Sequence, residues 1–327
     1  MIMEVMKLQL HNMFEIPPAP NVAGGMVHCG QGLFVVVFLI IVGLVAASCG
    51  KDPIFEQGDY IYENDDFTKV ENINGIIIHW SEDMDISGEQ KTVIRNLVAN
   101  LVRVEGGTFQ MGAQHTDSQS NNFDADAQDN ESPVHKVTLD DYYIGKFEVS
   151  QREWRTIMGY ELDWPEQYGR GDDFPAYNVS RADALRFIET LGAMTQLHFL
   201  LPTEAQWEYA ARGGNKSQHY RYSGSNAVNE VAWHKENANG TLHPVGGRQP
   251  NELGLFDMSG NLWEWCLDTY GEYPATPQTN PMNNSGNKYV LRGGAWTYFP
   301  IYCRVTCRDA FEGNGRSVSN GVRVIMN

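Results

Sequence analysis

Little in this 327-residue chain is basic: 24 Lys and Arg stand against 41 Asp and Glu, a formal net charge of -17. Such a chain repels a phosphate backbone, and no Lys/Arg-rich run makes a local exception, so nucleic acid is excluded as a partner. Cysteine is scarce as well. Five of them cannot build the dense bridge framework of a small secreted scaffold. There is no HExxH, P-loop, dinucleotide fingerprint or CxxC, and the nine histidines fall at no metal-ligand spacing. Present instead are aromatics at 11% and 32 glycines, the texture of a folded, turn-rich protein.

One long apolar run occurs, from Leu33 to Ser48. It is short for a membrane span and the right size for a signal-peptide core. It ends in Ala46-Ala47-Ser48-Cys49, small residues followed at once by cysteine. This resembles a bacterial lipobox, which implies lipid modification of Cys49 and its exposure as the mature N-terminus. Residues 1–48 are therefore read as upstream sequence plus a lipoprotein signal peptide, with the protein anchored to membrane through Cys49 and facing periplasm or cell exterior. The competing reading is a short membrane anchor with an incidental cysteine.

Residues 49–101 are read as an acidic stalk and a short helix. Residues 50–89 hold eleven Asp/Glu against two Lys. Within them "NGIIIHW" predicts a strand, and "SGEQKTVIRNLVANLV" a helix capped by Ser87 with Gln90 three residues on. From residue 102 to 327 short strands and glycine turns alternate with helices. "VEGGTFQMG" reads as strand-turn-strand; "SQREWRTIMG", "SRADALRFIETLG" and "TEAQWEYAARGG" read as capped helices. The polar stretch "HTDSQSNNFDADAQDNES", His115 to Ser132, reads as a mobile loop.

In order, "GGTFQMG", "VHKVTLDDYYIGKFEVSQREW", "LPTEAQWEYAARGG", "GLFDMSGNLWEW", "LRGGAW" and "GVRV" resemble the formylglycine-generating-enzyme (sulfatase-modifying factor) family over residues 102–327. The resemblance implies an α+β domain with the family's C-type-lectin-like fold: small twisted sheets, flanking helices and much irregular structure. It also implies an oxidase that holds copper on two cysteines five residues apart. Aligned from Gly293-Gly294, the second copper cysteine falls on Cys303 and the first on Tyr298. Two thiolates select Cu(I), so a phenol in place of one removes that chemistry, and copper is not expected. Cys303 has two further readings: a disulfide with Cys266, or two buried free thiols.

"DMSGNLWEW" offers oxygen ligands from Asp257, Gly260, Leu262 and Glu264, a donor set that suits a structural calcium. The resemblance implies calcium at these positions too. The competing reading has Asp257 capping a turn and Glu264 pairing with an arginine.

From Trp296 onward a frame (Trp296, Cys303, Arg304, Val305, Arg308, Arg316, Gly321, Arg323) alternates with apparently free positions. The tail resembles the variable proteins of diversity-generating retroelements, whose randomised AAC codons become NNC and cannot encode Glu, Lys, Gln, Met or Trp. Between Thr297 and Asn320 only Glu312 departs from that rule. Tyr298, Phe299, Tyr302, Thr306, Asp309, Phe311, Asn314 and Ser317 are expected to project from one face over a buried frame of Trp296, Cys303, Val305 and Val324, a paratope-like mix of aromatic anchors and small polar groups. The expected function is a lipid-anchored envelope protein that displays this face to a protein or glycan ligand, without catalysis. The alternatives are a divergent metal-dependent oxidase using Cys303, a structural lipoprotein of a secretion or motility apparatus, and a tail that is ordinary core packing.

Overall fold

The computed structural model describes residues 60–63 and 69–327. It opens with a three-stranded antiparallel meander, β1 (Tyr60–Glu63), β2 (Lys69–Ile73) and β3 (Ile76–His79). Asn74 and Gly75, both at positive φ, form the two-residue turn between β2 and β3. Helix α1 (Gly88–Ala99) follows, closed by a capping box between Ser87 and Gln90. This region is not a solvated stalk. Ile73, Ile76, Ile78, Trp80, Ile94, Leu97 and Val98 are buried in the same core as Trp154 and Phe187. Glu82, Asp83, Asp85 and Glu89 face solvent, while Glu71 is buried and neutralised by Arg95 at 2.5 Å.

Four strands come next: β4 (Leu101–Val104), β5 (Gly107–Met111), β6 (His135–Leu139) and β7 (Tyr142–Gly145). β4 and β5 do not pair with each other. β4 lies beside β7 and β5 beside β6, so the glycine turn between them carries the chain from one sheet to another. Helices α2 (Gln151–Met158) and α3 (Arg181–Thr195) start at Ser150 and Ser180, each with a reciprocal acidic partner three residues on. The short strand β8 (Phe199–Leu200) leads to α4 (Glu204–Ala211), capped by Thr203, and to the single turn α5 (Val228–Val231).

The C-terminal third supplies β9 (Trp263–Thr269), β10 (Gln278–Thr279), β11 (Tyr289–Arg292), β12 (Arg308–Phe311), β13 (Asn320–Gly321) and β14 (Ile325–Met326). They complete three more small sheets, with orders β10-β6-β5, β12-β11-β9-β13 and β4-β7-β14-β8. The last strand sits between β7 and β8, with Ile325 opposite Ile144 on one side and Leu200 on the other. The fold is α+β, as expected.

The β12-β11-β9-β13 sheet divides the interior. Trp263 and Trp265 point from β9 into a large core shared with α1, α2 and α3, while Cys266 points the other way, into a second core with Trp207, Val290 and Ile325. The two-residue period of a strand thus serves two interiors at once. The second interior is laced with arginines. Arg292, Arg304, Arg308 and Arg323 are all buried, each paired with a glutamate: Glu208, Glu131, Glu204 and Glu264.

Candidate binding surface

On the side of the sheet that faces the larger core, cross-strand partners share a face: Asp309 of β12, Leu291 of β11 and Trp265 of β9 form one row, and only its end at edge strand β12, Asp309 and Phe311 two residues along, reaches solvent. Phe311 packs toward Trp265 at 6.2 Å between ring centroids. Tyr298 meets Trp263 edge-on at 5.5 Å and Tyr302 at 5.6 Å, and Phe299 has Lys235 Nζ 4.3 Å above its ring. Phe299 is 48% exposed and Phe311 36%, whereas Tyr298 and Tyr302 are half-buried against the core. Burial, with the charge of Asp309 adding to it, raises the Tyr298 phenol above its ordinary range. Asn314 is exposed, and Ser317 sits at the edge, its carbonyl accepting from Asn178 at 3.1 Å.

Thr306 does not join this face. It is buried, its hydroxyl accepts from Arg304 Nη1 at 3.2 Å, and it lines a cleft with Val305 and Tyr209. Trp296, Cys303, Val305 and Val324 are all buried, as expected of the frame, but not in one core, and Arg316 of the wider frame is exposed. Trp296 and Val324 belong to the larger core and Val305 to the second, while Cys303 packs with Tyr222, Val231 and Ala232.

Of the two further readings of Cys303, the structure shows the buried free thiols and not the bridge to Cys266. Cys266, Cys303 and Cys307 are free and buried, and Cys266 and Cys303 face different clusters on either side of their segments. Burial raises the Cys303 thiol, with Cys307 adding to the effect, and pushes Cys307 up to about 12. Gly294 explains how Cys303 is placed. At φ 76, a Cβ there would lie 2.9 Å from the Cys303 Sγ, so only glycine lets the turn close on the sulfur. A buried, protonated thiol beside a phenol is a poor soft-metal site.

Of the four positions read as calcium ligands, Glu264 is committed to other partners. Glu264 directs both oxygens at a guanidinium: Arg323 Nη2 is 2.6 Å from Oε1 and Arg323 Nε 2.9 Å from Oε2, which also accepts from Trp207 Nε1 at 2.7 Å. Calcium needs six to eight oxygens and uncompensated charge, and this carboxylate is already neutralised. Asp257 accepts from the Gly246 amide at 2.6 Å through Oδ2; its Oδ1 is buried without a partner. The Gly260–Leu262 turn is organised from within the protein. Gly260 donates to the Gly293 carbonyl at 2.8 Å, and Leu262 donates to Glu148 Oε1 at 3.0 Å. Glu264 thus has the arginine partner that the competing reading gave it, and among the described residues no group of three His, Cys, Asp or Glu is arranged to hold a metal ion.

The stretch from His115 to Ser132 is not a free loop. Asp124 and Asp126 bind Arg221, Glu131 binds Arg304 at 2.6 Å, and Asn122 ties its side chain to the carbonyls of Gln110 and Gly112 at 2.7 Å each. The acidic residues were visible in the sequence; their partners lie roughly a hundred to 170 residues away, beyond the reach of any local pattern. Cys49 and the lipobox lie outside the described residues.

Residues 87–327 match the family described as the sulfatase-modifying factor enzyme 1-like domain. The chaperone protein LppX of Paenibacillus barcinonensis is 30% identical over 276 residues, spanning 69% of this chain and 89% of that one. The formylglycine-generating enzyme of Thermomonospora curvata is 26% identical over 299 residues, 70% of this chain and 94% of that one. Among solved structures, Treponema denticola variable protein 1 superposes with a TM-score of 0.59 at 24% identity, covering 82% of this chain and 98% of the other, a likeness of fold.

Proposed function

This chain belongs to the sulfatase-modifying factor enzyme 1-like domain family, and from that premise we propose that it works by binding rather than by oxidation. The surface is the exposed margin formed by edge strand β12 and the turn of residues 297–302, and the ligand a partner protein that docks on Phe299 and Phe311, with Tyr298, Tyr302 and Asp309 beneath and beside them. The observation that carries the reading is the presence of two solvent-facing phenylalanines beside half-buried Tyr298 and Tyr302, Tyr298 standing at the position where a thiolate would be needed for catalysis. Exposed aromatics on a rigid base serve contact, since they contribute little to folding. A relative that carries the name of a chaperone supports choosing a protein as the ligand. The free positions of the tail, Asn314 and Ser317 among them, would tune specificity from one variant to another.

Anchoring completes the proposal: Cys49 carries lipid and holds the domain at the bacterial envelope. Cys49→Ser should move the protein from the membrane to the soluble fraction, and continued membrane fractionation of that variant would remove the anchor. For the face, a photo-crosslinking residue placed at 299 or 311 in intact cells should give discrete adduct bands, and one placed at exposed Met282 should not. No adducts, or the same bands from all three positions, would overturn the binding reading.

A further inference from the structure

A separate cleft of about 1070 Å³ opens between β5, the Asn121–Asp126 stretch and the segment from Tyr209 to Asn226, and none of Tyr298, Phe299, Tyr302 or Phe311 lines it. Its size is that of a site for a ligand of several linked rings. The floor is aromatic. Tyr209 and Phe109 pack at 5.1 Å between centroids, and Gly107 makes room for the phenol, since a Cβ there would lie 2.5 Å from the Tyr209 hydroxyl oxygen. At the rim Phe123 is 41% exposed. The loop that carries Phe123 is fixed in place by Asn122, which adopts φ 54 and clamps two carbonyls of the neighbouring strand.

The electrostatics select the ligand. Besides His219, four charged side chains line the cleft, Asp124, Asp126, Arg212 and Arg221, and these four sum to zero. The two aspartates are bound by Arg221, and Arg212 is held by Glu208 at 2.9 Å and by the Gly112 carbonyl at 2.9 Å. Neither an anion nor a cation finds an uncompensated opposite charge here, and the chain's net charge of -17 further disfavours anions. What remains is a set of aromatic faces together with amide and hydroxyl groups, such as Asn121 and Tyr220. Aromatic faces carry negative potential and accept polarised C–H groups, while asparagine both donates and accepts. A ligand with apolar ring faces and equatorial hydroxyls answers both.

A neutral peptide is the competing occupant, because β5 is the edge strand of its sheet and contributes Gly107 to Gln110 to the cleft wall. Strand addition would need the outward carbonyls of that edge. The Gln110 carbonyl is already taken by Asn122 Nδ2 at 2.7 Å, and the same amide takes the Gly112 carbonyl at 2.7 Å. From Gln110 onward the edge is closed to a ladder.

We infer that this cleft binds a neutral oligosaccharide, at a site separate from the proposed protein-binding face. The test applies the full chain to an array of neutral oligosaccharides, uronic-acid oligosaccharides and unmodified decapeptides, followed by titration calorimetry with the neutral glycan most strongly retained. Retention on the neutral arm is expected, insensitive to added salt. Phe123→Ala and Asn121→Ala, both exposed and checked by melting temperature, should weaken it by about tenfold each, roughly the worth of one stacked ring or one good hydrogen-bonding group. Phe299→Ala should bind the glycan as the parent does, so failure of the protein-binding face and failure of the cleft are read separately. Retention confined to the peptide or uronic-acid arm, no retention on any arm, or neutral-glycan binding untouched by Phe123→Ala would each overturn the assignment.

Discussion

Arg323 and Glu264 meet with 2.6 Å between Nη2 and Oε1, both side chains wholly withdrawn from water. The same guanidinium donates to the carbonyls of Gly145 and Phe256 at 2.9 and 2.8 Å, so one residue near the C-terminus joins three separate segments. Removing one partner leaves the other charged and buried. Glu264→Gln should therefore lower unfolding free energy by about 3–5 kcal/mol, read from the urea midpoint. Excess EGTA should leave the parent melting temperature where it is; a clear fall on chelation would restore calcium to this turn.

Acid behaviour should centre on Asp257 and Asp268. Burial pushes Asp257 up to about 6, with the charge of Glu264 adding to it and the Gly246 amide and Arg323 opposing. Burial and the charge of Glu204 push Asp268 up to about 6 as well. Both carboxyls hold a proton more tightly in the folded chain than in the unfolded one, where an aspartate titrates near 4. Their contribution is fully present below the unfolded value and is lost as pH rises through about 6. Asp257→Asn keeps an oxygen for the Gly246 amide and removes the charge. It should stabilise the protein by about 1–3 kcal/mol above neutral pH and change little near pH 4, a crossover visible in melting temperatures taken across that range.

Neighbouring aromatics of the tail should behave differently on truncation. Phe299 is exposed, so Phe299→Ala should change stability by no more than about 0.5 kcal/mol while reducing partner adducts. Tyr298 is wedged between Trp263 and Tyr302, so Tyr298→Ala should cost about 1–3 kcal/mol in chemical denaturation. Equal, negligible costs would mean that Tyr298 stands as free of the core as its neighbour.

Cys303 and Cys307 should resist alkylation in the native protein and react at once in denaturant, because both thiols are buried and held protonated. A sulfatase-type cysteine peptide incubated with the protein, Cu(I) and oxygen should keep its mass. Native-state alkylation at Cys303, or turnover of the peptide, would return the chain to the oxidases of its family.

Helix starts were legible because their causes are local. Ser87 with Gln90, Ser150 with Glu153, Ser180 with Asp183 and Thr203 with Gln206 each close a capping box over three residues. The strand at Ile76–His79 was legible for the same reason. Tertiary partnerships were not. Nothing within a window of β9 distinguishes the side of Trp265 from the side of Cys266, since both sides are buried and both carry apolar residues. Arg304 lies 173 positions from Glu131; a loop read as mobile on polarity alone is fastened by that distant arginine. Tyr298 and Phe299 were visible as aromatics, but which of them faces solvent depends on Trp263, and Thr306 falls on the far side of the sheet from its supposed companions.

The alternation along β12 has a consequence for inheritance. Arg308 and Ala310 point toward the second core, and Arg308 is fixed there by Glu204; Asp309 and Phe311 point outward from an edge strand. Successive codons in this stretch therefore meet opposite selective regimes. A mutation that falls on one leaves folding intact and changes only what the surface presents, while a mutation one codon away leaves a glutamate stranded in the interior. A lineage can explore new surfaces in this segment without first acquiring stability to spare, because the pleat of the strand keeps the two kinds of change apart.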